Sequence, residues 1–173
     1  VSGLGAHEVI IETPAHDKGF GDLGPGELEE VLWTWSERMR DLARDVRLRA
    51  VMVFKNHGEE AGATLAHPHS QLVALPTVPR DIVEEMEGAL AHFRSKERCI
   101  WCDVVRHERK ERTRLVVDGD RCLALAPWAP RVPFETWILP TQHAAHFEDE
   151  PRATLAAVAD TLRDVVRRLD VAL

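Results

Sequence analysis

Cysteine, long apolar runs and an excess of basic residues are all scarce in this sequence. Only three cysteines occur in 173 residues, which argues against a disulfide framework. No apolar run reaches the roughly eighteen residues that a membrane-spanning helix needs. The net charge is −7, which argues against a nucleic-acid-binding or anionic-membrane surface. A small phosphorylated substrate remains compatible with this charge. The 45% hydrophobic content is enough for a sizeable core in one or two domains.

The start of the chain has few of the features of a targeting segment. Residues 1–5 have neither the basic beginning nor the apolar core of a secretory signal peptide. They also lack an initiator methionine, which predicts that the chain is processed, trimmed or a fragment. We therefore expect a reducing cytoplasmic location, where Cys99 and Cys102 are better interpreted as a metal-binding pair than as a disulfide.

Residues 67–71 are the most informative part of the sequence. Pro68 favours an extended backbone at His67. Alternate residues of an extended segment point to the same face, so His67, His69 and Gln71 are expected to line one wall. Neutral imidazole is both a good metal ligand and a nucleophile. The pattern predicts a group-transfer site, although this motif by itself could also be a surface turn.

Hydrophobic periodicity and turn residues predict six strands and three long helices. The predicted strands are 9–12, 51–54, 72–75, 114–117, 122–126 and 136–139. The predicted helices are 27–45, 81–98 and 151–169. The charged run 106–114 is interpreted as a solvated loop. Segments 10–16 and 137–143 each combine a strand, a proline and a histidine before a long helix, which suggests two copies of one strand–helix unit.

Residues 56–71 resemble the active-site segment of the galactose-1-phosphate uridylyltransferases, a branch of the histidine-triad superfamily. That family carries Asn-x-Gly, then Gly, then His-Pro-His-x-Gln at this spacing, as Asn56, Gly58, Gly62 and 67–71 do here. Three further segments resemble family motifs in the same order: 5–17, 99–103 and 133–143. The resemblance implies an α+β fold of duplicated histidine-triad-like units, with long helices packed on antiparallel sheet.

The resemblance also implies an organisation for the chain. Residues 1–78 would be the C-terminal part of the first half, with the His-Pro-His site. Residues 79–98 would be a linking helix, and 99–173 the N-terminal part of the second half, with the Cys-x-x-Cys pair. The chain would then be a central portion without the family's N- and C-terminal segments, and we expect it to be weakly active or inactive alone.

By the same resemblance, His69 would be the nucleophile that accepts a nucleotidyl group from a nucleotide-sugar. Gln71 would donate to phosphoryl oxygens, and Asn56, Gly62 and Thr64 would contact nucleotide and phosphate. Thr64 replaces the serine usual in the family and keeps its hydroxyl. Asn56 could instead be a turn former, and Thr64 could be an ordinary loop residue.

Two zinc sites are implied, and each is incomplete. His16 and His67 match two ligands of the family's first site, whose cysteine pair has no counterpart before Val1. A missing segment, a separate polypeptide or the absence of metal would each account for this. Cys99 and Cys102 have the spacing of a tetrahedral zinc pair.

The position of His143 matches a third ligand of the second zinc site. No fourth ligand is evident, although His107 and His146 are nearby alternatives in the sequence. The two cysteines could also be ordinary half-buried thiols.

The leading hypothesis is a transferase that moves UMP between sugar 1-phosphates, exchanging UDP-glucose with galactose 1-phosphate. Ser70, in place of the usual glycine, keeps open a related nucleotide-sugar phosphorylase or adenylyltransferase. A third hypothesis is a non-catalytic zinc-binding half of a two-chain enzyme. Expected partners are a nucleotide-sugar, a sugar 1-phosphate, and either a second copy or a partner chain, with no nucleic acid or membrane.

Overall fold

The computed structural model describes residues 3–173 as two antiparallel three-stranded sheets with long helices. The elements in chain order are β1 (Ala6–Ile11), α1 (Pro25–Leu42), β2 (Ala50–Phe54), β3 (His69–Leu75), α2 (Arg80–Lys96), α3 (Ile100–Glu111), β4 (Leu115–Asp118), β5 (Cys122–Leu125), β6 (Trp137–Pro140) and α4 (Arg152–Ala172). A short 3₁₀ helix at Phe147–Asp149 precedes α4.

The first sheet has the order β1-β3-β2, so β3 is its central strand. In the β1–β3 register His69 lies opposite Ile11, and in the β2–β3 register Gln71 lies opposite Phe54. The predicted strand at 72–75 was too short, because β3 already begins at His69. His69 is therefore part of a strand and is paired with β1, while the pairing of β3 with β2 starts two residues later, at Gln71.

The second sheet has the order β4-β5-β6, and every residue of β5 is buried. Strands β1 and β6 each lead to a long helix, α1 and α4, which pack against each other. Their contact forms a core of fully buried side chains that includes Leu28, Leu32, Leu155 and Ala159. The two sheets are thus joined through their helices rather than through strand pairing.

Local chemistry explains where α1 begins. Pro25 occupies its first turn, where a missing backbone N–H costs least. The Glu27 carboxylate accepts a 2.8 Å hydrogen bond from the Gly24 backbone N–H, which satisfies a donor before the helix. Burial of Leu28, Val31 and Leu32 at three- and four-residue spacing then fixes the face that meets α4.

The prediction of a solvated loop at 106–114 was wrong. Helix α3 continues to Glu111 and buries Val105 and Glu108, which lie one turn apart. The Arg114 guanidinium binds the Glu108 carboxylate with contacts of 3.1 and 2.6 Å. The charged composition hid this periodicity, because one residue on the inward face is an ion-paired acid rather than a hydrophobe.

Among residues 3–173, no helix combines the length and the apolar character that a bilayer crossing requires.

Candidate active site and metal cluster

The imidazole of His69 is buried and held by its own chain. Its Nδ1 lies 2.8 Å from the carbonyl oxygen of His67. A carbonyl can only accept, so Nδ1 carries the proton and Nε2 keeps its lone pair in the neutral ring. This is the tautomer that a nucleophilic Nε2 requires.

All three carbonyls of the His67–Pro68–His69 segment have separate donors. The His67 carbonyl accepts from the His69 ring, and the Pro68 carbonyl accepts from the Glu12 backbone N–H at 3.2 Å. The His69 carbonyl accepts from Lys55 Nζ at 3.2 Å. The backbone around His69 is therefore fixed by the residue that follows β1, by the residue that follows β2 and by a contact within the segment.

Lys55 also binds Glu12, and this pair is largely removed from water. Lys55 Nζ lies 2.7 Å from Glu12 Oε2, with side-chain exposures of 15% and 0%. Burial raises the pKa of Glu12, and the hydrogen bond from Lys55 acts in the opposite direction. Neither residue was singled out from the sequence. Their 43-residue separation carries no local signal, and only the register of the strands brings them together.

Ser70 points to the opposite side of β3 from His69 and is fully buried. Its hydroxyl accepts a 2.8 Å hydrogen bond from Trp35 Nε1 of helix α1. The hydroxyl that replaces the family's usual glycine hydrogen is thus satisfied by an indole, which anchors β3 to α1.

The Gln71 side chain is bonded to His7 of β1, a residue for which the sequence suggested no role. His7 Nε2 lies 3.0 Å from Gln71 Oε1 and donates to it. The amide oxygen is then occupied, and the amide NH₂ is turned the other way. His7 is opposite Val73 in the β1–β3 register, so its contact with Gln71 depends on a strand register for which the sequence carries no local signal.

A cavity of about 700 Å³ lies beside the His-Pro-His segment. Six of the predicted site residues line it: His16, Asn56, Gly62, Thr64, His67 and His69. Lys55 also lines it, whereas Gln71 does not. Gly62 has φ = +81°, a conformation that other residues adopt only with strain. The loop 56–66 therefore needs this glycine to curve around the cavity.

His16 and His67 converge at the edge of the same cavity. His67 Nε2 donates to the Thr13 carbonyl at 2.7 Å, which leaves a lone pair on Nδ1. That Nδ1 lies 3.0 Å from Nδ1 of His16. Two imidazole nitrogens facing each other in this way are suited to share one cation, with Thr13 fixing the His67 ring as carbonyls commonly do for metal-bound histidines.

Cys99, Cys102 and His143 form a second cluster, in which the ligand atoms all lie within 4.8 Å of one another. Cys99 is the N-cap of α3 and Cys102 lies in its first turn, so both thiols face the same side. His143 Nδ1 lies 3.4 Å from the Cys102 sulfur. Burial and the neighbouring Cys99 raise the pKa of the Cys102 thiol. Two sulfurs and one imidazole form a donor set that suits zinc, which stabilises the thiolate form.

The surroundings of this cluster show no completed fourth position. Among residues 3–173, no fourth cysteine, histidine or acidic side chain joins the group, so His107 and His146 are not part of it. A cavity of about 480 Å³ adjoins the cluster and is also lined by Glu85, Trp101 and Trp137.

Comparison with known proteins agrees with this geometry. Residues 2–79 match the family model for the N-terminal domain of galactose-1-phosphate uridyl transferase. Over a longer stretch, the chain is 29% identical to the galactose-1-phosphate uridylyltransferase of Thermotoga maritima, across 96% of this chain and 52% of that protein. The chain belongs to the galactose-1-phosphate uridylyltransferase family.

A second kind of relative is equally similar. The ADP-glucose phosphorylase of Arabidopsis thaliana is 33% identical over 85% of this chain and 40% of its own length. The chain therefore spans about half the length of the curated relatives it matches.

Solved structures support the fold. The X-ray structure of a galactose-1-phosphate-uridylyltransferase-like protein from Arabidopsis thaliana has a TM-score of 0.92 at 29% identity, over 100% of this chain and 56% of that one. A solved uridylyltransferase has a TM-score of 0.85 at 29% identity, over 91% and 49% of the two chains. The expected α+β fold with histidine-triad-like units is confirmed. The division into 1–78, 79–98 and 99–173 stays a prediction.

Proposed function

We propose that this member of the galactose-1-phosphate uridylyltransferase family carries a nucleotidyl-transfer centre with His69 as the nucleophile. The observation that carries the proposal is the 2.8 Å contact between His69 Nδ1 and the His67 carbonyl. It leaves the Nε2 lone pair available at the wall of a cavity large enough for a nucleotide-sugar.

The reaction then proceeds as two displacements. The lone pair of His69 Nε2 attacks the α-phosphorus of UDP-glucose, a P–N bond forms, and the bond to the β-phosphate oxygen breaks to release glucose 1-phosphate. A phosphate oxygen of galactose 1-phosphate then attacks the same phosphorus. The P–N bond breaks, UDP-galactose leaves, and the electron pair returns to Nε2. Splitting one transfer into two steps is the advantage of a histidine nucleophile.

Other residues of the site would bind and orient the substrate. His7 contacts Oε1 of Gln71 and not its amide NH₂. That NH₂ would donate to phosphoryl oxygens at the edge of the cavity, since Gln71 itself does not line it. Asn56 and Thr64 line the cavity and offer polar contacts to the nucleotide, while Gly62 permits close backbone approach.

Zinc is the proposed cofactor. His16 and His67 would hold one ion together with ligands from elsewhere, and Cys99, Cys102 and His143 would hold another. Zinc bound to His67 supplies a rigid anchor for the segment that carries His69. The second ion would stabilise the fold. We also propose that the protein acts in the reducing cytoplasm and associates with a second copy or a partner chain.

A phosphorylase is the second candidate, because the Arabidopsis relative with 33% identity is named ADP-glucose phosphorylase. In that case the first displacement is on ADP-glucose, and inorganic phosphate takes the place of the sugar 1-phosphate in the second. The nucleophile and its tautomer are the same, so the two candidates differ in donor and acceptor alone.

A labelling experiment on the full-length protein tests both. UDP-glucose or ADP-glucose with a labelled α-phosphate should transfer label to His69 in an acid-labile, base-stable form. The variant His69→Ala should take up no label, while His107→Ala, at an exposed histidine outside both clusters, should label normally. Equal labelling of wild type and His69→Ala would overturn the proposal. Release of the label by galactose 1-phosphate or by inorganic phosphate then identifies the reaction.

A further inference from the structure

The Glu12–Lys55 pair is an unusual feature so close to a reactive histidine. The Glu12 side chain has no exposed surface, and Lys55 Nζ lies 2.7 Å from it. Removing two charges from water is costly, and a buried pair is often no more stabilising than hydrophobic residues of similar volume. Its presence calls for a role other than stability.

Both members of the pair contact the nucleophile segment. Lys55 donates to the His69 carbonyl at 3.2 Å, and the Glu12 backbone N–H donates to the Pro68 carbonyl at 3.2 Å. Lys55 also lies 4.9 Å from the centre of the Phe20 ring, so its ammonium is held from a second direction. These contacts fix the peptide groups on both sides of the His69 Cα atom.

The charge of Lys55 is compensated before a substrate arrives. The carboxylate of Glu12 neutralises the ammonium at hydrogen-bond distance, so the pair adds little net attraction for a phosphate. Its effect is therefore expected on the orientation of His69 and on the rate of attack, rather than on substrate affinity.

We propose that Lys55, which Glu12 holds in place, is a positioning residue. Its hydrogen bond to the His69 carbonyl fixes the orientation of the His69 imidazole. This rests on the proposed function of His69 as a nucleophile. Lys55 immediately follows β2 and precedes Asn56, which lines the cavity. Its hydrogen bond to the His69 carbonyl therefore connects the end of β2 with the start of β3. A displacement of about 1 Å in such a centre can lower the rate on the order of 10²-fold.

The test uses a double variant, because Lys55→Met alone would leave a buried carboxylate without a partner. Glu12→Gln/Lys55→Met removes both charges with little change in volume. We expect the rate of His69 labelling to fall about 10²-fold with the KM for the nucleotide-sugar nearly unchanged. The single variant Lys55→Arg, which keeps a cationic donor beside Glu12, should retain most of the wild-type rate.

A matched control exists in the second half of the chain. Glu108 and Arg114 form another poorly exposed pair, with a side-chain exposure of 5% for the acid and a 2.6 Å contact. Glu108→Gln/Arg114→Met likewise removes a carboxylate and its cationic partner, but in the second half of the chain, and should leave the labelling rate unaltered. An equal fall in rate in both double variants would reduce the Glu12–Lys55 pair to a structural role. A raised KM with an unchanged rate constant would instead make Lys55 a substrate contact, and either result overturns the proposal.

A spectroscopic measurement separates this proposal from the proposed function. The ¹⁵N and ¹H resonances of the His69 imidazole, assigned by their loss in His69→Ala, report the Nδ1–H contact without any substrate. We expect them to shift in Glu12→Gln/Lys55→Met and to stay in place in the control. If the wild type takes up no label, the proposal that His69 is the nucleophile is refuted. If the His69 resonances do not shift in the double variant, the proposal that Lys55 is a positioning residue is refuted.

Discussion

The imidazole Nδ1 atoms of His16 and His67 lie 3.0 Å apart, although 51 residues separate the two positions in the chain. The His67 ring is turned toward His16 because its Nε2 is bound to the Thr13 carbonyl, three residues before His16. One short stretch of chain after β1 therefore supplies both the neighbour of His67 and the contact that orients it.

Loss of Cys99 and Cys102 should remove metal from the second cluster. Zinc sites add to folding free energy because the assembled ligands exist only in the folded chain. Cys99→Ser/Cys102→Ser should lower the zinc content by about one ion per chain. The melting temperature should fall by roughly 10 °C, as a loss of about 3 kcal/mol implies at this size. Elemental analysis and calorimetry measure the two effects.

The third cysteine provides the control for that experiment. Cys122 is buried and its thiol contacts Thr161 Oγ1 at 3.0 Å, away from the cluster. Cys122→Ala should therefore keep the wild-type zinc content. Equal zinc in the double serine variant and the wild type would return Cys99 and Cys102 to ordinary thiols.

Replacing His7 should slow nucleotidyl transfer to His69, because His7 orients the Gln71 side chain. The 3.0 Å contact fixes the Gln71 amide, and a neutral hydrogen bond of this kind contributes about 1 kcal/mol. His7→Phe should therefore lower the labelling rate about fivefold. In a double-mutant cycle, the same change should have little further effect once Gln71 is alanine. Additive losses would mean that His7 acts independently of Gln71.

The Glu8–Arg38 ion pair should make stability depend on acidity. Both guanidinium contacts are short, at 2.8 and 2.7 Å, and the hydrogen bond from Arg38 lowers the pKa of Glu8 below its ordinary value of 4.5. The folded state thus binds this proton less readily than the unfolded state. The stabilisation is present above pH 4.5 and is lost as the pH falls below it.

Glu8→Gln should remove that part of the pH dependence. Above pH 4.5 the variant should be less stable by about 0.5–1 kcal/mol, since the pair is partly exposed. The difference should narrow on acidification, as denaturant titrations at several pH values would measure. A difference that is constant from neutral to strongly acid pH would exclude the ion pair as its origin.

Leu155 should be among the most sensitive core positions. It is fully buried where α4 meets α1, and leucine-to-alanine changes at such sites cost about 3–5 kcal/mol. Leu155→Ala should show this loss in denaturant unfolding, whereas Leu173→Ala, at an exposed leucine, should change stability by less than about 0.5 kcal/mol. Similar values for the two variants would contradict the packing of α1 on α4.

Much of the fold could be predicted from the sequence, because most elements carry a regular hydrophobic period. All six predicted strands and all three predicted long helices are present, with ends shifted by a few residues. Helix α3 was missed because Glu108 occupies a buried position that a hydrophobic pattern assigns to apolar residues. A charged residue that is buried through an ion pair is not marked as buried by the hydrophobic pattern of the sequence.

The candidate site was less predictable than the fold. The His-Pro-His motif is local, so His67 and His69 could be identified directly. Gln71 was expected on the same wall, yet its amide is engaged by His7 and it does not line the cavity. Contacts of this kind depend on which strand is the neighbour of β3 and in which register, and neither can be read from one sequence.

The hydrogen bond from Trp35 to Ser70 has a practical consequence for optical measurements. The chain contains five tryptophans and no tyrosine, so indole dominates its ultraviolet emission. Trp35 donates to Ser70, the residue that follows His69. Trp101 and Trp137 lie edge to face beside the cysteine cluster, with their ring centres 5.4 Å apart. Fluorescence of single-tryptophan variants could therefore follow each half of the molecule separately, without an added dye.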